Sequence, residues 1–360
     1  MNETDKVNRR DAIRMFGGAA SMSVLGASVL ADTTEKSKTS LGLVIYTLGI
    51  RRRSMKATDP QHDLFEPFSF LDYCHSLGAG GVQVPLGVLD PQQCERLRNR
   101  AEAFGMFIEG AAGPPHSDAD AERFEAAVRT ARDVGARAIR TVILPGRRYE
   151  RFKSLEEYRK FAERGRQALE RAAPIVEKHK VRLAVENHKD QRLDERVALF
   201  RHLDCPYIGA CVDTGNSFAL LEDPIAVVEA LAPFAFSVHL KDQAVQEYED
   251  GFLFADVALG DGFLDLKRMV DILRRAKPEI RFSLETITRD PLRVPCLSDS
   301  YWPTFPTVTA KELAYALRIV RENAAEELHR VSSLTPDGQV EYELATVRRC
   351  LEYARSTLGL

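Results

Sequence analysis

Four apolar runs in the second half of this chain each end on a side chain that can bind a metal ion. LAVENHKD carries Glu186, CVDTGN carries Asp213, SVHLKD carries His239 and FSLET carries Glu285. Three carboxylates and one imidazole form a hard, mainly oxygen donor set. Such a set suits manganese first, with magnesium, cobalt or zinc as alternatives. A single acid at a strand end is ordinarily a loop cap or an ion-pair partner. Four such residues at the same depth on adjacent strands are harder to read that way. Crowded carboxylates repel, and without a cation they must bind protons or lose stability. One divalent ion relieves the conflict.

The elements that would carry these residues are legible as an alternation. Eight short apolar runs lie at 41–47, 80–86, 106–111, 136–144, 181–187, 207–213, 234–240 and 280–286, each followed by a helical pattern. Buried parallel strands read as near-continuous apolar stretches, and strands alternating with helices imply βαβ units. Eight of them predict an α/β fold, a closed (β/α)8 barrel over residues 41–325. Residues 326–360 form a C-terminal extension with one extra helix. No GxGxxG opens the first helix, which argues against a dinucleotide-binding sheet. Two boundaries carry specific signals. Asp90 followed by Pro91 predicts a helix start, and Gly78 a helix end. Active sites of such barrels form at the C-terminal strand ends, where the four donors fall.

With LAVENH, VDTGN, VHLKD and SLET in this order, the chain resembles the xylose isomerase-like barrel family of sugar isomerases, epimerases and inositol-pathway enzymes. The resemblance covers roughly residues 41–325. It implies one divalent metal held by Glu186, Asp213, His239 and Glu285, and a carbohydrate substrate. In the epimerase branch the matching glutamates also move the proton, which implies a dual role for Glu186 and Glu285. Two positions depart from that branch: Asn216 stands where many epimerases carry His, and Gln83 where many carry Glu. The single-metal set, with no basic groove, does not resemble the endonuclease branch.

The implied chemistry is proton removal from a carbon beside a carbonyl. The developing enediolate needs positive charge next to it, and a carboxylate can take and return the proton. The leading expectation is therefore a sugar isomerase or epimerase. A lyase acting on 3-keto glycosides would use the same residues, and a non-catalytic sugar-binding barrel is the alternative from another class. His188, Lys241, Asn216, Tyr46, Gln83 and Trp302 are candidates for contacting substrate. Lys241 can stabilise negative charge, or simply pair with Asp242. Asn187 and Asn216 are also placed to hold the metal ligands, and Glu109 to line the pocket. Trp302 can stack on a sugar or anchor its loop. The clusters Arg51–Arg53 and Arg147–Arg148 follow strands one and four. Solvated loop charge is the preferred reading for them, with an anionic substrate as the alternative.

Residues 9–16 read RRDAIRMF, and a mild apolar, small-residue stretch runs on to Ala31. Twin arginines before such a stretch predict a twin-arginine export signal over residues 1–31, with a polar linker over 32–40 and a periplasmic or extracytoplasmic destination. The stretch is too short and too weakly apolar to be a stable membrane span. The whole chain has 360 residues and a net charge of -3, so no basic field favours nucleic acid. The six cysteines are scattered without CxxC or zinc-finger spacing, and Cys211 reads as a small core residue.

Overall fold

Runs such as IGACVD leave almost no polar face for water, so the strands they form must be covered on both sides. The computed structural model, which describes residues 38–360, solves this by closing the sheet on itself. The strands are β1 (Gly42–Val44), β2 (Gly81–Val84), β3 (Phe107–Ala111), β4 (Ile139–Thr141), β5 (Leu183–Glu186), β6 (Ile208–Asp213) and β7 (Ala235–Leu240), then a hairpin of β8 (Asp242–Tyr248) and β9 (Gly251–Val257), then β10 (Phe282–Leu284) and β11 (Leu292–Val294). Around the barrel the order is β1-β10-β7-β6-β5-β4-β3-β2, with every pairing parallel. Each barrel strand lies inside one of the eight apolar runs. Residues 1–37, with the expected signal and most of the linker, lie outside the described residues.

The helices are α1 (Gly49–Thr58), α2 (Pro67–Leu77), α3 (Pro91–Phe104), α4 (Asp118–Asp133), α5 (Arg148–Arg151), α6 (Leu155–His179), α7 (Leu193–Leu203), α8 (Pro224–Leu231), α9 (Leu266–Ala276), α10 (Ala310–Asn323) and α11 (Pro336–Thr357). Asp90 caps α3 by accepting from the Gln93 amide, and Gly78 ends α2 at φ 85°. Among the described residues no helix is long and apolar enough to cross a membrane. All six cysteines are free, and Cys211 is fully buried.

The C-terminal helix is part of the barrel's own core. Val347, Cys350, Leu351 and Ala354 of α11 join the main apolar cluster. Glu343 accepts from the amides of Ile50 (2.8 Å) and Arg51 (2.7 Å), satisfying two donors at the start of α1.

Residues 241–262 lie between the seventh apolar run and the helix that follows it. They form the β8–β9 hairpin, and β11 adds an antiparallel third strand to it. The tight turn needs Gly251: its φ is 149°, and a Cβ there would lie 2.3 Å from the Val294 carbonyl oxygen. Asp250–Gly251 between alternating runs was the available hairpin signal.

The basic clusters are bound up in structure. Arg52 pairs with Asp63 through two hydrogen bonds (2.7 and 2.6 Å), and Arg147 pairs with Glu150 (2.6 Å). Arg148 is buried and corrects the expectation of solvated charge. It donates to Glu195 (2.6 Å) and to the Thr304 carbonyl, and its guanidinium lies 3.5 Å from the Tyr158 ring centre. It thus ties α7 to the segment after β11. Arg148→Met should cost about 1–3 kcal/mol in denaturant unfolding, because it leaves the buried Thr304 carbonyl without its donor and the partly exposed Glu195 without its cation. A loss of about 0.5 kcal/mol or less would mean that the residue behaves like a surface charge.

Candidate metal centre

Register brings the four donors to one rim. Asp213 and His239 are cross-strand partners on β6 and β7, and Glu186 on β5 pairs with Cys211 of β6. Glu285 follows β10 directly, and its amide extends the ladder to Leu240 (3.1 Å). All four are buried, from 0% to 3% exposed. One donor atom from each lies within 4.8 Å of every other. Donors about 2.0–2.2 Å from a shared ion lie at most about 4.4 Å apart, so the set closes on an ion with shifts of a few tenths of an ångström.

Two of these atoms are left open. His239 Nδ1 and Asp213 Oδ2 are fully buried yet accept and donate no hydrogen bond. His239 Nδ1 faces Glu285 Oε1 (3.4 Å), Glu186 Oε2 (3.7 Å) and Asp213 Oδ2 (4.0 Å). A buried polar atom without a partner is costly, so an open imidazole nitrogen turned toward three carboxylates fits a cation site.

The other imidazole nitrogen explains why Nδ1 is the free one. Nε2 lies 2.8 Å from Gln83 Oε1, which can only accept and therefore holds the proton on Nε2. Gln83 in turn donates to Glu109 Oε2 (2.9 Å), and Ser237 donates to the same oxygen (2.7 Å). Burial pushes Glu109 up to about 6, against these two hydrogen bonds. Gln83, expected at the substrate, thus sits behind His239 and sets its tautomer.

Two protein cations also share the carboxylate charge. Arg140 on β4 donates to Glu186 Oε2 through Nε (2.7 Å) and Nη2. Lys241 Nζ lies 2.7 Å from Glu285 Oε2 and 2.9 Å from Asp213 Oδ2, the latter in a direction that makes no hydrogen bond. Lys241 therefore pairs with the donor set and not with Asp242. Asp242 instead accepts from the amides of Gln243, Gly260, Gly262 and Leu264. Burial raises Glu186 and Glu285, but Arg140 with His239 for the first, and Lys241 with His239 and Arg140 for the second, together hold both well below the usual carboxylate range. Burial, with the charges of Glu285 and Glu186, pushes Asp213 up to about 6 despite Lys241.

The asparagines hold the donors in place. Asn187 Oδ1 accepts from the Asp213 amide (2.7 Å), and its Nδ2 donates to the Asp213 carbonyl (2.9 Å). Asn216 Nδ2 donates to Glu186 Oε1 (3.1 Å), while Lys189 and Lys241 (3.5 Å) donate to its Oδ1. His188 is tied through Nδ1 to the Gly146 carbonyl (3.1 Å), and burial pushes it down to about 4. Tyr46 is exposed, with its ring centre 5.8 Å from the Arg140 guanidinium, and so marks the solvent edge of the site. Trp302 packs edge-on against Tyr301 (5.3 Å) in a cluster with Phe218, which is the loop-anchoring role.

Arg140 and Lys189 escaped the sequence reading. Arg140 had one signal, a charge in the middle of the apolar run 136–144, which also carries Arg137 near its start. Gln83→Leu should weaken manganese binding about 10–100-fold in a calorimetric titration, by releasing the His239 tautomer. Unchanged affinity would mean that Gln83 is only packing.

Residues 71–316, well over half of the chain, match the family model described as Xylose isomerase-like TIM barrel. A 3-oxo-isoapionate decarboxylase from Pectobacterium atrosepticum is 27% identical over 213 residues, 57% of this chain and 72% of that protein. A solved L-ribulose 3-epimerase superposes with a TM-score of 0.50 at 15% identity, covering 88% of this chain and 95% of that one. A D-tagatose 3-epimerase-like protein gives 0.51 at 13% identity, covering 79% and 96%. At these identities the structural likeness is one of fold. Barrel, donor set and sequence match agree: the chain belongs to the xylose isomerase-like TIM barrel family.

Proposed function

We propose that this protein is a divalent-metal-dependent isomerase or epimerase that shifts a proton on the carbon beside the carbonyl of a sugar or close sugar relative. One observation carries the reading. Four buried donors sit at the ends of adjacent barrel strands, with His239 Nδ1 left without a hydrogen bond between them. Glu186, Asp213, His239 and Glu285 would hold the ion, with manganese as the first candidate. When bound, the ion supplies positive charge beside the carbonyl oxygen and acidifies the neighbouring C–H.

The chain's own residues do the rest. Glu285 or Glu186 takes the proton from carbon. Returning it to the opposite face epimerises that carbon, and returning it to the adjacent carbon isomerises the sugar. Lys241 Nζ donates to the oxygen on which negative charge develops. Arg140 keeps Glu186 ionised. Burial keeps water from the reacting carbon. Tyr46 and His188 border the substrate. The reading retains a barrel at 41–325, an extension at 326–360 and residues 1–31 as an export signal, and that signal carries the enzyme to a periplasmic or extracytoplasmic destination.

A lyase is the second reading, and a specific observation favours it. Arg140 and Lys241 hold both glutamates ionised and lower their strength as bases. Cleavage of a 3-keto glycoside needs only one such proton removal. Loss of carbon dioxide from a 3-oxo acid, the reaction named for the 27% identical relative, needs no base at all. Both leave negative charge where Lys241 can meet it.

Incubation of the manganese-loaded protein with aldoses, ketoses and 3-oxo sugars in heavy water, followed by NMR, separates these readings. Deuterium entering one carbon of a sugar of otherwise unchanged composition is the expected result. Glu285→Gln should lower the rate by about 10²–10⁴-fold and retain sugar binding. Fragments or carbon dioxide would select the lyase. Sugar binding with no exchange and no cleavage would leave a non-catalytic barrel.

A further inference from the structure

Lys189 is a buried cation that the proposed reaction does not use. It lies in the loop after β5, is 2% exposed, and donates through its side chain to Asn216 Oδ1. An ammonium has three donors, so two remain unspent. Among the described residues it has no ion-pair partner. The next residue, Asp190, is paired with Arg196 (2.7 Å). Asp256 and Asp213 attract Lys189 only at longer range, and Asp256 is already bound by Arg289 (3.2 Å) and Gln243 (2.7 Å). Burial, and then the like charges of Lys241 and Arg289, push Lys189 down to about 8. A buried ammonium held this way gains from an anion that fills its open donors.

Its place decides which anion. Asn216 joins Lys189 to Lys241 through Oδ1 and to Glu186 through Nδ2. Lys189 is thus one side chain away from the metal donors. Arg289, partly exposed, lies on its outer side. The two unspent donors of Lys189 match the two oxygens of one carboxylate, and Lys241 and Arg289 add like charge that an anion relieves.

We propose that Lys189, with Arg289 at its outer side, is a subsite for a carboxylate of the substrate, so that the substrate class is a sugar acid and not a neutral sugar. The proposal rests on the reading of the metal centre given above and narrows it. It also assigns the anion recognition that the sequence suggested for Arg51–Arg53 and Arg147–Arg148 to a different residue.

D-Gluconate and D-sorbitol test it, because they differ in the carboxylate and lack the reactive carbonyl. Each is titrated calorimetrically into the full chain, with and without manganese. The wild type should bind gluconate at least about tenfold more tightly than sorbitol when manganese is bound. Lys189→Met should abolish that preference in titrations at saturating manganese, and Lys189→Gln, which keeps a donor toward Asn216, serves if the first variant misfolds. Equal binding of the two probes by the wild type overturns the proposal, and this comparison stands even if both variants misfold. A preference that survives the substitution also overturns it. A wild type that binds no manganese would remove the metal reading instead, and the ion-free titrations would then decide the role of Lys189 by the same comparison.

Discussion

Everything at the catalytic end of this barrel depends on keeping three buried carboxylates charged. Glu186, Asp213 and Glu285 are almost fully removed from water, and an isolated buried carboxylate would take up a proton. The protein answers with positive charge from several directions. Arg140 reaches Glu186 from β4, and Lys241 spans Asp213 and Glu285 from the end of β7. His239 presents an open nitrogen between all three. The protein cations therefore tune the centre as well as neutralise it. They hold the glutamates ionised, at the expense of their strength as bases.

The rest of the fold serves that arrangement. Parallel strands in register deliver one donor each to the same depth, so the site is set by backbone pairing and does not rely on loops. Behind it, the chain Ser237–Glu109–Gln83–His239 fixes which imidazole nitrogen faces forward. Asn216 binds the Glu186 carboxylate, and Asn187 holds the main chain of Asp213. The β8–β9 hairpin supplies Asp256 and Gln243 to the cationic side of the site. Arg148 and the cluster around Tyr301 pin the segment that follows β11.

The barrel was legible in the sequence because its strands are buried on both faces and stand out as apolar runs. The four donors were legible because each closes such a run. What escaped shares a physical cause: partnership between residues distant in sequence. Gln83 was visible, but His239 lies 156 residues further on, and nothing local says that one holds the other. Arg140 lies inside an apolar run, and nothing local says that its charge reaches Glu186. Lys241 was read against its neighbour Asp242, whereas its partners come from β6 and β10. The β8–β9 hairpin was hidden by its charges, since Glu247, Glu249 and Asp250 make the segment read as a loop.

The central claim is that the opening between these four side chains is a metal site which Arg140 and Lys241 complement and do not replace. Anomalous diffraction from crystals grown with manganese tests it most directly. The account predicts a single peak about 2.0–2.4 Å from donor atoms of Glu186, Asp213, His239 and Glu285, with His239 bound through Nδ1. A crystal with no peak there, and with the Lys241 ammonium still lying between Asp213 and Glu285, would contradict it.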